Sequence, residues 1–390
     1  MPGIRSCFAL TMMLAGCVEK PEDNGETPAK GPDFEVVYHT EYVDIAPGFT
    51  QPVCQGSLDE IDRHIEATAE FLDIEIQDRI TLYWYNNNAD GAITDNDEIC
   101  NWCPCKSCYN GAVNTDLGAL HHELVHAVVA PAWGWSDWLF SEGIAGALDR
   151  YSTWIGLTGH GDGLTIYPAL TTVTPTEMIG KHDGDHFVLW LIDRFGLEAF
   201  RAMFEPRLRP SSTVDEVLAA IEEVYGSPLA ELEVEYYATA PQIYPLPGLC
   251  EGLLELPWND ESVWELRVDA DCDAPYMFGP NDDGDMYVVA IVDIPPDLVG
   301  TSIATWNPGD TTGSAWPCLD APIDELPDYD ALTDRPVWNN GPTTFRMPGR
   351  HRVELPVATS GEVYLRLCLD NGKFPGAYPQ DKTVDPENCL

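Results

Sequence analysis

Two histidines stand four residues apart at His122 and His126, with Glu123 beside the first, in the stretch ALHHELVHAVVA at 119–130. On a helix, residues four apart project from one face, so both imidazoles can reach one ion. Glu123 sits next to them, placed to contact a water on that ion and not the ion itself. In a chain with 9 His among 390 residues, His-Glu-x-x-His arises by accident in roughly 1–2% of cases, so the pattern is informative without being decisive. A catalytic zinc takes three protein ligands and keeps one position open. The third ligand expected is Glu142, in WLFSEGIAGALD at 138–149. A carboxylate among apolar Leu139, Phe140, Ile144 and Ala145 is costly to bury unless paired, and a cation pairs it. The competing reading is a surface carboxylate favoured by the dipole at a helix N-terminus. His121 points about 100° away from His122 around the helix and reads as support or packing.

These side chains need two helices in close succession. Thr115 is the expected N-cap of the first, with Asp116 in its first turn and Leu117, Leu120, Leu124 and Val128 as its buried stripe. Pro131 and Gly134, in PAWGWSD, end it and turn the chain, and Ser136 or Asp137 caps the second. Upstream, EVVYHTEYVDIA from Glu35 reads as a strand and Ser57-x-x-Glu60 as the capping box of a helix with Ile61, Ile65, Ala69 and Leu72 on one face. ITLYWY at 80–85 reads as a strand ending in the turn residues NNNADG. Downstream, helical spacing recurs near 184–195, 197–205, 213–225 and 228–239. Thr213-x-x-Glu216 there is a second capping box, and Ser227-Pro228 an N-cap and first-turn proline. Pro245 and Pro247 close the helical run.

From about residue 250 the period changes to two, as in EVYLRLCL at 362–369, where Val363, Leu365 and Leu367 face one way and Tyr364 and Arg366 the other. Short runs of this kind between turns such as NDDGD and TSGE predict an antiparallel β-sandwich over 250–390. The expected fold class is α+β: a mostly helical domain over 35–245 with a small N-terminal sheet, then the sandwich as an accessory domain. Asn281-Asp282-Asp283-Gly284-Asp285 has the oxygen density of a calcium loop but no bidentate Glu at the EF-hand spacing, so it reads as a tight turn and Ca2+ has no specific motif in its support.

His122-Glu123-Leu124-Val125-His126 followed by Trp138-Leu139-Phe140-Ser141-Glu142-Gly143-Ile144-Ala145 resembles the gluzincin zinc metallopeptidases, and within them the compact peptidase-MA-like branch with its HELxH…WLxEGxA pattern. The resemblance spans roughly residues 80–240 and includes HFVLWLIDRFGLEAFRAMF at 186–204. It implies a zincin-like fold, with Zn2+ on His122, His126 and Glu142 and with Glu123 as the base that activates water. It also implies that strand 80–85 is the edge strand that pairs with an extended peptide. The transition-state electrophile it calls for is assigned to His182, which stands where relatives tend to carry Tyr; His186, Tyr167 and His160 compete. One departure is the connection of only fifteen residues between His126 and Glu142, shorter than in larger gluzincins.

The N-terminus reads as a targeting segment. MPGIRSCFALTMMLAGC has one early positive charge, Arg5, and an apolar run too short to span a bilayer. Its Leu14-Ala15-Gly16-Cys17 ending resembles the lipobox of bacterial lipoproteins, which implies a signal peptide over 1–17, lipidation of Cys17 and, with Val18 following, an outer-membrane address. An ordinary secretory signal is the alternative, and both export the chain. Residues 18–34 read as a flexible tether. Removing Cys7 and lipidating Cys17 leaves ten of the 12 cysteines for an oxidising compartment: Cys54, Cys100, Cys103, Cys105 and Cys108 in the first half, Cys250, Cys272, Cys318, Cys368 and Cys389 in the second. Each half is odd, so full pairing needs an odd number of bridges between them, and Cys250 is expected to supply the crossing. The CxxCxCxxC cluster at 100–108 suits zinc or an iron–sulfur cluster in the cytosol, and stapling disulfides after export.

With 65 Asp+Glu against 20 Lys+Arg, the formal net charge is −45. Such a surface repels nucleic acid and anionic lipid headgroups. The sequence therefore predicts an exported, lipid-anchored zinc metallopeptidase, a hydrolase acting on a peptide or protein substrate. The alternative is a catalytically inactive zincin-fold lipoprotein that binds or builds at the envelope surface.

Overall fold

The computed structural model describes residues 34–85, 107–115, 121–149, 166, 183–241, 244, 250–258, 263–281, 283–299, 302–306, 313–318, 337–338, 342–345, 347–357 and 361–369. Cys17, the tether up to residue 33, Cys100, Cys103, Cys105, Asp116, Leu117, Leu120, His160, Tyr167, His182 and Cys389 lie outside the described residues.

The N-terminal sheet is built from β1 (Tyr38–His39), β2 (Val43–Pro47), β3 (Ile80–Trp84), β4 (Ser107–Tyr109) and β5 (Val113–Thr115), in the order β1-β2-β3-β5-β4. β1 and β2 form a short antiparallel pair where one strand was expected. Helix α1 (Gln55–Phe71) carries the chain across to β3, which pairs parallel with both β2 and β5. β3 alternates as expected, with Ile80, Leu82 and Trp84 buried. It is a central strand, however, and not the edge strand expected to receive a substrate. Periodicity reports that a strand has a buried face; it says nothing of what lies on its two edges. The edge on that side, among the described residues, is β4, which pairs only with β5.

Ile61, Ile65 and Ala69 of α1 pack on this sheet as the apolar spacing predicts. The capping box does not form. The helix begins earlier, at Gln55 with Cys54 as N-cap. Ser57 instead accepts the N–H of Gly279 at 2.9 Å, and Glu60 is ion-paired to Arg352. Both side chains serve partners more than 200 residues away, which no local motif anticipates.

Helices α2 (His121–Trp133), α3 (Trp138–Leu148), α4 (Asp183–Phe195), α5 (Leu197–Arg201), α6 (Val214–Tyr225) and α7 (Leu229–Thr239) form a second layer. The Thr213–Glu216 capping box at α6 is formed. Pro228, not Ser227, is the N-cap of α7. From His121 to Val129 α2 is buried on every side, without the exposed stripe that its expected amphipathic pattern implies. Leu124, Ala127 and Val128 face the sheet core, whereas Val125, Val129 and Trp133 enter the helical core with Phe140, Phe187 and Trp190. Thr115, expected to cap α2, ends β5, and its carbonyl accepts the N–H of Tyr85 at 2.7 Å. Pro131 does not stop α2, which continues through it to Trp133. The helix ends at Gly134, whose φ of 76° is accessible to a residue without Cβ.

The C-terminal region contains β6 (Leu254–Leu256), β7 (Val263–Asp269), β8 (Met277–Phe278), β9 (Met286–Ile294), β10 (Ser302–Trp306), β11 (Gly313–Pro317), β12 (Val337–Trp338), β13 (Pro342–Thr344), β14 (Gly349–Val357) and β15 (Glu362–Leu369). They form a sheet β13-β10-β15-β7 and a sheet β12-β11-β14-β9-β6, with β8 paired to β9. Trp264, Leu266, Leu365 and Leu367 of one sheet and Val288, Ala290, Val353 and Leu355 of the other share one core. The pairing is antiparallel with one exception, β6 against β9, which is parallel.

Two disulfides are formed between described cysteines. Cys54 is bonded to Cys272 across 218 residues and Cys250 to Cys318 across 68. The crossing between the halves is therefore made by Cys54, and the expectation for Cys250 is overturned. Cys250 is near the first half in sequence, but its fold neighbours are Cys318 and Ile291 of the β region. Cys108 is also disulfide-bonded, and Cys368 lies on β15.

Candidate metal centre

The connection from α2 to α3 decides whether Glu142 can meet the histidines. After Gly134, Ser136 donates its hydroxyl to the carbonyl of Met203 at 2.6 Å, and its N–H is accepted by Ser141 Oγ at 2.9 Å. Asp137 is the N-cap of α3, its carboxylate accepting the N–H of Leu139 at 3.1 Å. These bonds reverse the chain within a few residues, so fifteen residues suffice to bring the second turn of α3 against α2.

His122 and His126 lie on one side of α2 with ring centroids 5.0 Å apart and planes at 79°. Glu142 faces both. Its Oε2 is 3.1 Å from His122 Nε2 and its Oε1 is 3.4 Å from His126 Nε2. The three ligand atoms all lie within 4.8 Å of one another. Bonds of about 2.0–2.1 Å to a tetrahedral zinc place neighbouring ligand atoms roughly 3.3–3.4 Å apart, so the spacing fits one ion on all three groups. The polar atoms left over point the same way. The 3.4 Å contact is not aligned as a hydrogen bond, and His126 Nε2, Glu142 Oε1 and Glu123 Oε1 are buried without a hydrogen-bond partner. Three such atoms together are costly in a protein interior, and a cation relieves the two that converge.

The electrostatics agree with a site that expects positive charge. Burial alone would lower the pKa of His122, but the hydrogen bond and charge of Glu142, with Glu123 and Asp149 behind it, push it up to about 10. Burial would raise Glu142, but His126 and His122 hold it down to about 2. Burial pushes Glu123 upward, offset in part by the two histidines. That shift moves a carboxylate toward the range of a working base.

His121, beside His122, turns away as its position on the helix predicts. Its ring lies 4.3 Å from that of His64 on α1. Burial, with Arg352 nearby, lowers its pKa to about 3. Burial likewise lowers His64, so both rings are neutral. His64 Nε2 lies 3.3 Å from the carbonyl oxygen of His121, and only an N–H can serve that acceptor, which fixes the tautomer.

Two aromatic residues complete the surroundings. Trp135, in the α2–α3 connection, has its ring 5.4 Å from His126, and Tyr109 of edge strand β4 lies 6.2 Å from Trp135. Both are half-buried. Sequence reasoning singled out neither. Trp135 was legible only as part of a turn, and Tyr109 follows a cysteine cluster that drew the attention to disulfides. Of the expected electrophiles, only His186 is among the described residues. Its Nδ1 is 2.8 Å from the hydroxyl of Tyr236, and its ring packs on Tyr244. In the acidic turn, the Asn281 side-chain oxygen accepts from the N–H groups of Asp283 and Asp285 at 3.0 and 2.8 Å, as a tight turn requires.

Comparison with known proteins finds no family model that matches the chain and no curated relative that matches it.

Proposed function

We propose that this chain is a zinc-dependent metallopeptidase of gluzincin type, exported and anchored to the bacterial envelope through a lipid on Cys17, with a catalytic domain over 35–245 and an accessory domain over 250–390. The observation that carries the reading is the convergence of His122, His126 and Glu142 on one point beside a buried, unpartnered Glu123. His122, His126 and Glu142 would hold the zinc, which when bound supplies a Lewis acid able to polarise a carbonyl and acidify a water. Glu123 takes the proton of the attacking water and returns it to the leaving amine nitrogen. Strand β4, the edge of the sheet among the described residues, is the strand proposed to pair with an extended peptide, with Tyr109 and Trp135 as aromatic residues between it and His126. His182 remains the proposed electrophile. The Cys54–Cys272 and Cys250–Cys318 bonds support export. No helix among the described residues is long and apolar enough to cross a membrane. The net charge of −45 argues against a nucleic-acid partner.

A second reading is that of an inert binding or structural envelope protein. It is favoured by the 3.1 Å His122–Glu142 pair, which satisfies two of the three groups with a proton in place of a metal. Metal analysis and turnover separate the two. The peptidase carries about one zinc per chain, loses it on His126→Ala, and cleaves a generic peptide mixture until a chelator or Glu123→Gln stops it. Zinc retained with no cleavage would move the conclusion to the second reading, and no zinc at all would remove the metal centre.

A further inference from the structure

The start of α1 is organised by the C-terminal β region. Cys54, its N-cap, contributes no side-chain cap hydrogen bond. Its N–H and that of Gln55 go to the carbonyls of Gly279 and Cys272 at 3.0 and 2.8 Å. The first N–H groups of a helix have no partner within it, so the Cys272 carbonyl satisfies one of them at Gln55. The Cys54–Cys272 disulfide clamps the same point. The approach is close: a Cβ at Gly56 would lie 2.5 Å from the carbonyl oxygen of Met277 and 2.6 Å from the ring of Phe278.

One turn further, Glu60 meets Arg352 of β14. Both are about 5% exposed. One guanidinium nitrogen of Arg352 is ion-paired to Glu60, its Nε donates to Glu354 at 2.8 Å, and its charge lies 5.2 Å over the ring of Phe278. One turn further again, His64 donates to the carbonyl of His121, the residue before the first metal ligand. The three contacts recur along one face of α1, at positions 56, 60 and 64, the first two to the β region and the third to His121 of α2.

We propose that Arg352 is a positioning residue for the metal centre, acting through Glu60 and the His64 side of α1 to hold the end of α2 that carries His122. The β region is then a brace for the ligand set. This inference rests on the reading of His122, His126 and Glu142 as metal ligands. A group hydrogen-bonded directly to a ligand typically changes metal affinity by roughly 10–100-fold when removed; Arg352 stands further back, so a smaller effect is expected of it.

The test measures zinc affinity of the full-length protein by competition with a chromophoric chelator. Arg352→Met, which keeps the stem and removes the charge, is expected to weaken zinc binding measurably, by up to about ten-fold, the low end of what a direct partner of a ligand contributes. Leu365→Ala, a cavity in the far sheet of the β region, serves as the control for general destabilisation. It is expected to lower the melting temperature and leave zinc affinity unchanged. If Arg352→Met binds zinc as the parent does, or Leu365→Ala weakens binding as much, the positioning role is overturned while the metal centre stands. If the parent binds no zinc, both fall. Should Arg352→Met not fold, Glu60→Gln keeps the shape of the pair and is read by the same criteria.

Discussion

Zinc binding at this centre should release a proton, and the pH dependence of affinity should show it. Without metal, Glu142 is held down to about 2 and His122 pushed up to about 10, so between those limits the pair keeps one proton. A divalent cation needs a neutral imidazole and must displace that proton. Apparent affinity therefore rises about ten-fold per pH unit below pH 10, so that going from pH 6 to pH 8 strengthens binding about 100-fold, or roughly 2.7 kcal/mol. The stability of the metal-free protein moves the opposite way. A histidine raised in the folded state contributes stability fully below its ordinary pKa of 6.5, and that stability is lost as pH climbs toward 10. Added zinc should accordingly raise the melting temperature more at pH 8.5 than at pH 6.5. Calorimetry in buffers of different ionisation enthalpy counts the protons directly, with about one expected per zinc at pH 8. Glu142→Gln removes the charge that raises His122, so the variant binds zinc more weakly and its release above pH 7.5 falls toward zero. A parent protein that binds zinc with no proton release between pH 7 and 9 would refute the paired arrangement.

Three further outcomes follow from the packing. Gly143→Ala places a Cβ 2.7 Å from Val188 Cγ2, next to Glu142; overpacking of about 1–3 kcal/mol, offset by up to about 1 kcal/mol of helix propensity, should leave the variant less stable in urea and weaker for zinc. Asp137 caps α3 while burial raises its pKa to about 6, so its ionisation costs stability as pH rises from 3.8 toward 6. Asp137→Asn keeps a capping oxygen without the charge, and its stability relative to the parent should grow by up to about 3 kcal/mol between pH 4 and pH 7 in denaturant titrations. Removing the Cys54–Cys272 bond by Cys54→Ala with Cys272→Ala opens a loop closed across 218 residues; chain entropy puts the loss near about 5 kcal/mol, measured as a lower urea midpoint.

Much of the candidate centre was legible because its signals are local. Helical spacing alone put His122 and His126 on one face, and residue type before an apolar run narrowed the α3 cap to Ser136 or Asp137, of which Asp137 is the one used. The alternation in EVYLRLCL survived for the same reason, with Val363, Leu365 and Leu367 inside. What misled were residues whose partners come from far along the chain. Ser57 and Glu60 have the spacing of a capping box and are used instead by Gly279 and Arg352. Cys250 stands near the first half in sequence and bonds within the second.

By itself the sequence determined which residues could bind an ion, that helices surround them, and that a region of period two follows a region of period 3.6. Each of these depends on steric and hydrogen-bonding preferences within a turn or two of chain. Only the tertiary structure decided that Glu142 faces both imidazoles, that β3 is central and β4 the edge among the described residues, and that α1 is capped by the β region. Those outcomes depend on which apolar faces share a core and which buried polar groups find one another across hundreds of residues. A pattern of residue types does not carry that information until the chain is packed.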